Sequence, residues 1–200
     1  GIVSENNSQY DVIVIGAGVA GLYQLFKLRQ LKLKALVIEA GDNVGGTWYW
    51  NRYPGARFDS ESWSYGYSFS KELFEEWDWP EHFAAQPDTL RYLNYVADKF
   101  DFRRDIKFDR RVEACVFDQQ DNLWTVRTNT KEEYVARFLI TALGPLSAFT
   151  LPNIEGRETF KGPAYHTARW PHEEVDFSGK RVGIIAVSYT HLRAHETLTD

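Results

Sequence analysis

The first forty residues alternate between unbroken apolar runs and a helical spacing of apolar positions. Residues 10–18, YDVIVIGAG, are continuously apolar and end in glycines, which is typical of a parallel strand buried on both faces. Residues 20–31 then predict a helix with one apolar stripe, and 34–40 predict a second buried strand. The stripe consists of Leu22, Leu25, Leu28 and Leu31. Strand, helix and strand in this order predict a βαβ unit.

The segment 41–83 has no sustained period and is rich in glycine, aromatic and charged residues. Long irregular segments of this kind are usually functional. We interpret the aromatic residues from Trp63 to Phe83 as internal packing of this segment. Residues 86–100 predict a helix, with Pro87 and Asp88 both favourable in the first turn. Its predicted buried stripe is Leu90, Leu93, Ala97 and Phe100.

The remaining pattern changes to a period of two. Residues 106–140 alternate in three runs separated by polar turns, which predicts an antiparallel meander. Residues 138–144 are again continuously apolar and are expected to return to the parallel sheet, and 180–187 are expected to start a further strand. The predicted fold class is α/β: a Rossmann-like domain with a parallel sheet and an inserted antiparallel β-meander, followed by the start of a second dinucleotide-binding domain.

Composition and charge narrow the function classes. The formal net charge of -5 argues against nucleic-acid or anionic-membrane surfaces, and no apolar run is long enough for a membrane span. The single cysteine, Cys115, cannot form an internal disulfide, which fits a reducing compartment. We therefore expect a cytoplasmic protein without nucleic-acid or membrane partners. His191 and His195 have metal-ligand spacing but lack a third ligand, so no metal site is expected.

The strongest local motif is GAGVAG at 16–21, which fits GxGxxG between a strand and a helix. Gly16 permits the tight turn, Gly18 lets the backbone approach a pyrophosphate, and Gly21 lets helix and strand pack closely. Glu39, at the end of the second strand, can accept hydrogen bonds from ribose hydroxyls and disfavours a 2′-phosphate. The motif therefore predicts a site for FAD or NAD rather than for NADP.

Two further motifs carry a family resemblance that covers about residues 10–187. The stretch 45–59, GGTWYWNRYPGARFD, resembles the second fingerprint of Baeyer–Villiger monooxygenases. The stretch 160–171 matches their hallmark pattern FxGxxxHxxxWP at every fixed position. These fixed positions are Phe160, Gly162, His166, Trp170 and Pro171. Flavin-containing and N-hydroxylating monooxygenases share the glycine motif and a shorter form of the second pattern.

The resemblance implies an FAD- and NADPH-dependent enzyme that uses dioxygen to convert a small-molecule ketone to an ester or lactone. It implies catalytic roles for Asp59 and His166, with Asp59 beside the flavin and the hallmark segment linking the two cofactor domains. It implies the following cofactor-binding residues: Gly16, Gly18, Gly21, Glu39, Gly46, Thr47, Trp48, Asp59 and Tyr65. The family's active-site arginine is expected after the hallmark motif, outside these residues.

The predicted domains are an FAD-binding domain at 1–150, an interdomain linker at 151–179 and the first strand of an NADP-binding domain at 180–187. Residues 188–200 look foreign to the family, because no glycine follows Gly183 where a second fingerprint is expected. The 200-residue chain is therefore expected to bind FAD at most. A non-catalytic FAD-binding module, or a flavin-containing or N-hydroxylating relative, stays open as an alternative.

Overall fold

Strands of mixed direction form one six-stranded sheet in residues 9–185, the part of the chain that the computed structural model describes. The strands are β1 (Gln9–Ile15), β2 (Ala35–Ile38), β3 (Ile106–Lys107), β4 (Val112–Asp118), β5 (Leu123–Thr128) and β6 (Glu133–Thr141). Their order across the sheet is β3-β2-β1-β6-β5-β4. The pairs β3–β2, β2–β1 and β1–β6 are parallel, whereas β6–β5 and β5–β4 are antiparallel. The predicted α/β fold with a parallel sheet and an antiparallel meander is confirmed.

Along the chain, one α-helix lies between β1 and β2 and four lie between β2 and β3. They are α1 (Val19–Gln30), α2 (Thr47–Trp50), α3 (Ser62–Tyr65), α4 (Lys71–Glu76) and α5 (Gln86–Lys99). Short 3-10 turns occupy Arg103–Asp105, Arg157–Thr159 and Thr167–Arg169. Among the described residues, the irregular segment thus contains only short helices, and both long helices stand where the apolar period predicts them.

The chain divides into two compact units. The first comprises the described residues 9–49 and 93–145, which include all six strands, and the second comprises 50–92 and 146–185. In the first unit, α1 packs on β1 and β2 through Leu22, Leu25 and Leu28. The side chains at the centre of the sheet are apolar and are buried against one another, because removing apolar surface from water is favourable. This cluster contains Ile13, Leu36, Ile38, Val126, Tyr134 and Ala136.

In the second unit, a backbone bridge between Arg57, inside the irregular segment, and Ala85, just after it, closes residues 57–85 into a loop. The buried Ser62 hydroxyl lies 2.6 Å from the carbonyl oxygen of Glu81 and accepts from the amide of Ala84 at 3.0 Å. These bonds satisfy backbone groups that a long loop would otherwise leave to solvent. The segment therefore has a defined structure despite its lack of sequence period.

Two expectations need correction. Leu31 is 68% exposed because α1 ends at Gln30, so the stripe stops one turn earlier. Residues 180–185 form no strand, because no strand among the described residues lies beside them to complete the hydrogen bonds. The third run of the meander and the start of the run 138–144 form one strand, β6, which pairs antiparallel with β5 and parallel with β1, so the predicted return to the parallel sheet is confirmed.

The buried stripe of α5 is also different in detail. Leu93 and Ala97 are buried as predicted, whereas Leu90 and Phe100 are only half-buried. Thr89, Tyr92 and Val96 complete the buried face. The predicted foreign tail at 188–200, with His191 and His195, lies outside the described residues. Across residues 9–185, no helix combines the length and the apolar character that crossing a bilayer requires.

Candidate dinucleotide-binding site

The turn after β1 requires glycine for steric reasons. Gly16 has φ +106°, and a Cβ there would lie 2.5 Å from the carbonyl oxygen of Ala142. A Cβ at Gly21 would lie 1.8 Å from the carbonyl oxygen of Gly16. Both distances are impossible for a side chain, so the strand, the turn and the helix can approach one another only with glycine at these positions. The two roles predicted for backbone geometry agree with the structure.

Gly18 faces a second glycine-containing loop. We call residues 16–21 the first glycine loop and residues 41–46 the second glycine loop. A Cβ at Gly18 would lie 3.2 Å from the Cα of Gly46, and a Cβ at Gly46 would lie 2.8 Å from the Cα of Gly18. The amide of Gly45 donates to the carbonyl oxygen of Ala17 at 3.0 Å. The two loops therefore form one continuous backbone surface.

The carboxylate of Glu39 joins the same two loops. Its side chain is 5% exposed, and Oε2 accepts from the amide of Ala17 at 2.7 Å. Oε1 accepts from the amide of Gly41 at 2.7 Å. The sequence predicts Glu39 as an acceptor for ribose, and the structure gives it a structural role as well. An ionised carboxylate has about four acceptor positions, so two remain for a ligand.

The amino terminus of α1 carries no competing acidic group. Its N-cap is Gly18, which provides no side-chain cap, and the first turn contains no Asp or Glu. The amide groups at a helix start and the positive end of the helix dipole favour an anion. This end of the helix therefore has the electrostatic character that a pyrophosphate requires.

The second glycine loop continues directly into α2, which contains Thr47 and Trp48. Trp48 is buried, and the neighbouring Tyr49 hydroxyl donates to Asp42 at 2.7 Å. The guanidinium of Arg103 donates to the side-chain oxygen of Asn43 at 2.9 Å. Arg103 thus supports the second glycine loop, although its position in a charged turn gives no sequence signal for this contact.

The hallmark segment 160–171 lies in the second unit and is held by local contacts. The aromatic ring of Phe160 lies over Gly162, where a Cβ would lie 2.8 Å from the tip of the ring. Nδ1 of His166 accepts from the amide of Ala168 at 3.1 Å and so caps the following turn. Because Nδ1 is an acceptor, the other ring nitrogen, Nε2, carries the proton in the neutral ring.

Arg169 lies in the hallmark segment at a position that the sequence motif leaves variable, yet it makes several contacts there. Its guanidinium lies 4.5 Å from the ring centre of Trp50 and 5.1 Å from that of Phe149. The ring of Phe149 also lies 4.4 Å from that of His166. Contacts between a cation and aromatic faces are favourable in partly desolvated surroundings. Arg169, Phe149 and His166 therefore form a connected group.

The predicted site residues divide between the two units. The glycines of the two loops, Glu39, Thr47 and Trp48 belong to the first unit, and Asp59, Tyr65 and His166 belong to the second. Asp59 is exposed at the end of an irregular stretch. Tyr65 stacks on Phe58 with ring centres 4.3 Å apart and planes 11° apart.

Comparison with known proteins identifies a matching family and relatives with similar sequences. Residues 13–186 match the family described as pyridine nucleotide-disulphide oxidoreductase. The chain is 50% identical over 90% of its length to 2-oxo-Delta(3)-4,5,5-trimethylcyclopentenylacetyl-CoA monooxygenase of Pseudomonas putida, covering 34% of that protein. It is 47% identical over 90% of its length to cyclohexanone 1,2-monooxygenase of an Acinetobacter species, covering 33% of it. The chain thus spans about a third of the length of these curated relatives.

A solved structure shows the same similarity in three dimensions. OTEMO, in complex with FAD and NADP, is 49% identical and superimposes with a TM-score of 0.87. The alignment covers 92% of this chain and 36% of that chain. The resemblance predicted from the glycine motif, the WYWNRYPG loop and the hallmark segment is confirmed. The chain belongs to the pyridine nucleotide-disulphide oxidoreductase family, and relatives at 46–50% identity are monooxygenases, one of them named a Baeyer–Villiger monooxygenase.

Proposed function

We propose that this chain forms the FAD-binding part of an FAD- and NADPH-dependent monooxygenase that inserts one oxygen atom of dioxygen next to a ketone carbonyl. The product is an ester or lactone. The observation that carries the proposal is the joined pair of glycine loops, with the buried carboxylate of Glu39 between them. Two comparisons support it: one relative is named for cyclohexanone, and the OTEMO structure is in complex with FAD and NADP.

The residues present fit a dinucleotide. Gly16, Gly18 and Gly46 have no side chains, so the main chain of both loops is open to close approach by a pyrophosphate. The start of α1 supplies amide donors and a positive dipole without a competing acid. Glu39 retains acceptor positions for ribose hydroxyls, and its negative charge disfavours a 2′-phosphate. We therefore assign FAD to this site.

When bound, FAD supplies the redox chemistry that couples NADPH oxidation to oxygen transfer. The protein's residues have separate tasks. The first glycine loop and the start of α1 hold the diphosphate, and Glu39 orients the ribose. Thr47 and Trp48 follow the second glycine loop and line the flavin side of the site. For Asp59 and Tyr65, which belong to the second unit, a place beside the flavin rests on the family resemblance alone.

His166 is proposed to couple the two cofactor domains of the longer protein. Its Nδ1 caps the turn 167–169 by accepting from the amide of Ala168, which fixes the orientation of the ring. The contact through Phe149 to Arg169 ties the orientation of His166 to the packing of the hallmark segment. A residue of this kind affects the relative motion of domains more than the folding of the first one.

The test uses a longer protein that carries this chain, purified with FAD and supplied with NADPH and a panel of ketones. We expect ketone-dependent NADPH oxidation with ester or lactone as product. The variant His166→Ala should slow both processes by more than about tenfold while FAD content stays unchanged. His172→Ala, in the same segment, is the matched control and should behave like the unaltered protein.

Two results would contradict this proposal. Bound FAD without ester formation from any ketone would favour the alternative of a non-catalytic FAD-binding module. Equal rates in His166→Ala and His172→Ala would remove the proposed coupling role of the hallmark histidine.

A further inference from the structure

The second unit contains a cavity of about 190 Å³ that the proposed flavin site does not use. Its lining is almost wholly aromatic and apolar: Trp63, Gly66, Tyr67, Leu73, Phe74, Trp77, Trp79 and Tyr92. Leu73, Tyr67 and Tyr92 are buried, while Trp63 and Phe74 are 61% and 54% exposed. The cavity therefore has a closed inner wall and an apolar rim that a ligand would cover on entry.

The inner wall carries hydrogen-bond donors. The hydroxyl oxygen of Tyr92, a side chain only 3% exposed, accepts from the amide of Tyr67 at 2.7 Å. Among the described residues that line the cavity, none accepts a hydrogen bond from the Tyr92 hydroxyl. The position that a Cβ would take at Gly66 lies 3.5 Å from the Tyr92 hydroxyl oxygen and 3.7 Å from Nε1 of Trp79. One acceptor atom placed near Gly66 could thus receive from both donors.

The size and charge of the cavity restrict the ligand further. A dry apolar cavity of about 150 Å³ is known to hold benzene, so this volume accommodates one six-membered ring with a small substituent. The guanidinium of Arg91 already lies 5.7 Å from the ring centre of Trp77, which disfavours a second cation at this aromatic wall. Among the described residues, no charged side chain lines the cavity, so an anion would be buried without a counter-ion.

We propose that this cavity is a binding site for a small neutral ring compound with one hydrogen-bond-accepting oxygen. The ring occupies the space between the Trp and Tyr side chains, and the oxygen accepts from the Tyr92 hydroxyl and the Trp79 indole. This site is independent of the glycine loops and does not rest on the function proposed above.

The test is a matched pair of fluorinated probes observed by ¹⁹F NMR during titration of the purified chain. The first probe, 4-fluoroacetophenone, has an acceptor oxygen, and the second, 1-ethyl-4-fluorobenzene, has nearly the same shape without one. We expect saturable binding of the ketone with a Kd on the order of 0.1–1 mM, and about threefold to tenfold weaker binding of the hydrocarbon.

The variant Gly66→Val fills the cavity from its wall. Gly66 has φ −66°, ψ 154°, and the nearest atoms lie at ordinary contact distance, so the backbone accepts a side chain. Binding of both probes should weaken by more than about tenfold. Gly183→Val is the control, because nothing lies within 4 Å of a Cβ there. Gly66→Ala, which adds a single methyl group, provides a smaller step of the same kind should Gly66→Val fail to fold.

Three results would overturn the proposal. One is the absence of saturable binding up to the solubility limit of the ketone. Another is unchanged binding in Gly66→Val, or in Gly66→Ala if only that variant folds. The third is loss of binding when FAD is added, which would place the probe in the flavin site instead. Binding that is unchanged by FAD supports the cavity whether or not the oxygenase activity is found.

Discussion

The carboxylate of Glu39 is held by two backbone amides, one from each glycine loop. A carboxylate can accept from both because it has no hydrogen to place. A glutamine at this position has one oxygen and one amide nitrogen, so one of the two backbone donors would lose its acceptor. Glu39 therefore contributes to the structure before any ribose is bound.

The variant Glu39→Gln should lower both stability and affinity for FAD. Leaving one buried amide unsatisfied costs about 1–3 kcal/mol, measured as the free energy of unfolding in urea without flavin. Glu174→Gln, at an exposed position, is the control and should change stability by less than about 0.5 kcal/mol. If Glu39→Gln is as stable as Glu174→Gln, the bridging role of the carboxylate is wrong.

The buried hydroxyl of Tyr92 leads us to expect a loss of stability at alkaline pH. Burial raises the pKa of its hydroxyl from 10.0 to about 12. Burial also raises the pKa of the neighbouring Tyr67. The unfolded chain ionises first, so this stabilisation is complete below about pH 10 and is lost as the pH rises towards 12.

Urea unfolding at about pH 9 and at about pH 11 should show this decrease. Tyr92→Phe should show a smaller decrease between the two pH values, although it is less stable at both because the Tyr67 amide loses its acceptor. An equal pH dependence in both proteins would show that Tyr92 does not ionise with unfolding.

At the scale of elements, the two glycine loops act as one structure. Their backbones touch through Gly18 and Gly46, and the bond from Gly45 to Ala17 fixes their register. Any side chain at Gly18 therefore disturbs the second loop as well as the path of a pyrophosphate. Glycine is therefore needed at position 18 for two reasons. It gives a pyrophosphate access to the backbone, and it lets one glycine loop pack on the other.

Gly18→Ala should lower the free energy of unfolding by about 1–3 kcal/mol even without FAD, because the added methyl group meets the Gly46 backbone. Gly183→Ala is the control, since a Cβ there meets nothing within 4 Å. Thermal unfolding of the flavin-free chain checks both variants. A melting temperature of Gly18→Ala equal to that of Gly183→Ala would mean that the loop contact contributes no stability.

Gly66→Ala should have the opposite sign. Gly66 ends α3 with φ −66°, a conformation that alanine adopts without strain. Replacing it reduces the freedom of the unfolded chain and is expected to stabilise by about 0.4–1 kcal/mol in urea unfolding. A destabilised variant would show that the wall at Gly66 is tighter than the structure indicates.

At the scale of the whole molecule, the sequence predicts what depends on neighbours along the chain. Local patterns are sufficient to predict the strands β1 and β2, the helix α1 and the steric need for glycine at positions 16 and 21. The double pairing of β6 does not, because its period cannot show which strands lie on its two edges. The stacking of Arg169 between Trp50 and Phe149 likewise depends on residues that only the fold brings together.

The candidate site is divided in the same way. Motif spacing identifies the glycines, Glu39 and His166, since each has a fixed place in a local pattern. The sequence cannot show that Glu39 ties the loops together or that Nδ1 of His166 caps a turn, because these bonds depend on side-chain orientation. Leu31 shows the opposite error. The apolar period of α1 is correct, but it continues in the sequence beyond Gln30, where the helix ends.

The assignment of FAD to the glycine loops is tested by the dinucleotide content of the purified chain after incubation with FAD and NADP together, followed by removal of unbound cofactor. We expect about one FAD per chain by flavin absorbance and no retained NADP, with FAD retention reduced in Glu39→Gln and Gly18→Ala and unchanged in Gly183→Ala. Retention of NADP without FAD, or of neither cofactor by a folded chain, would contradict it.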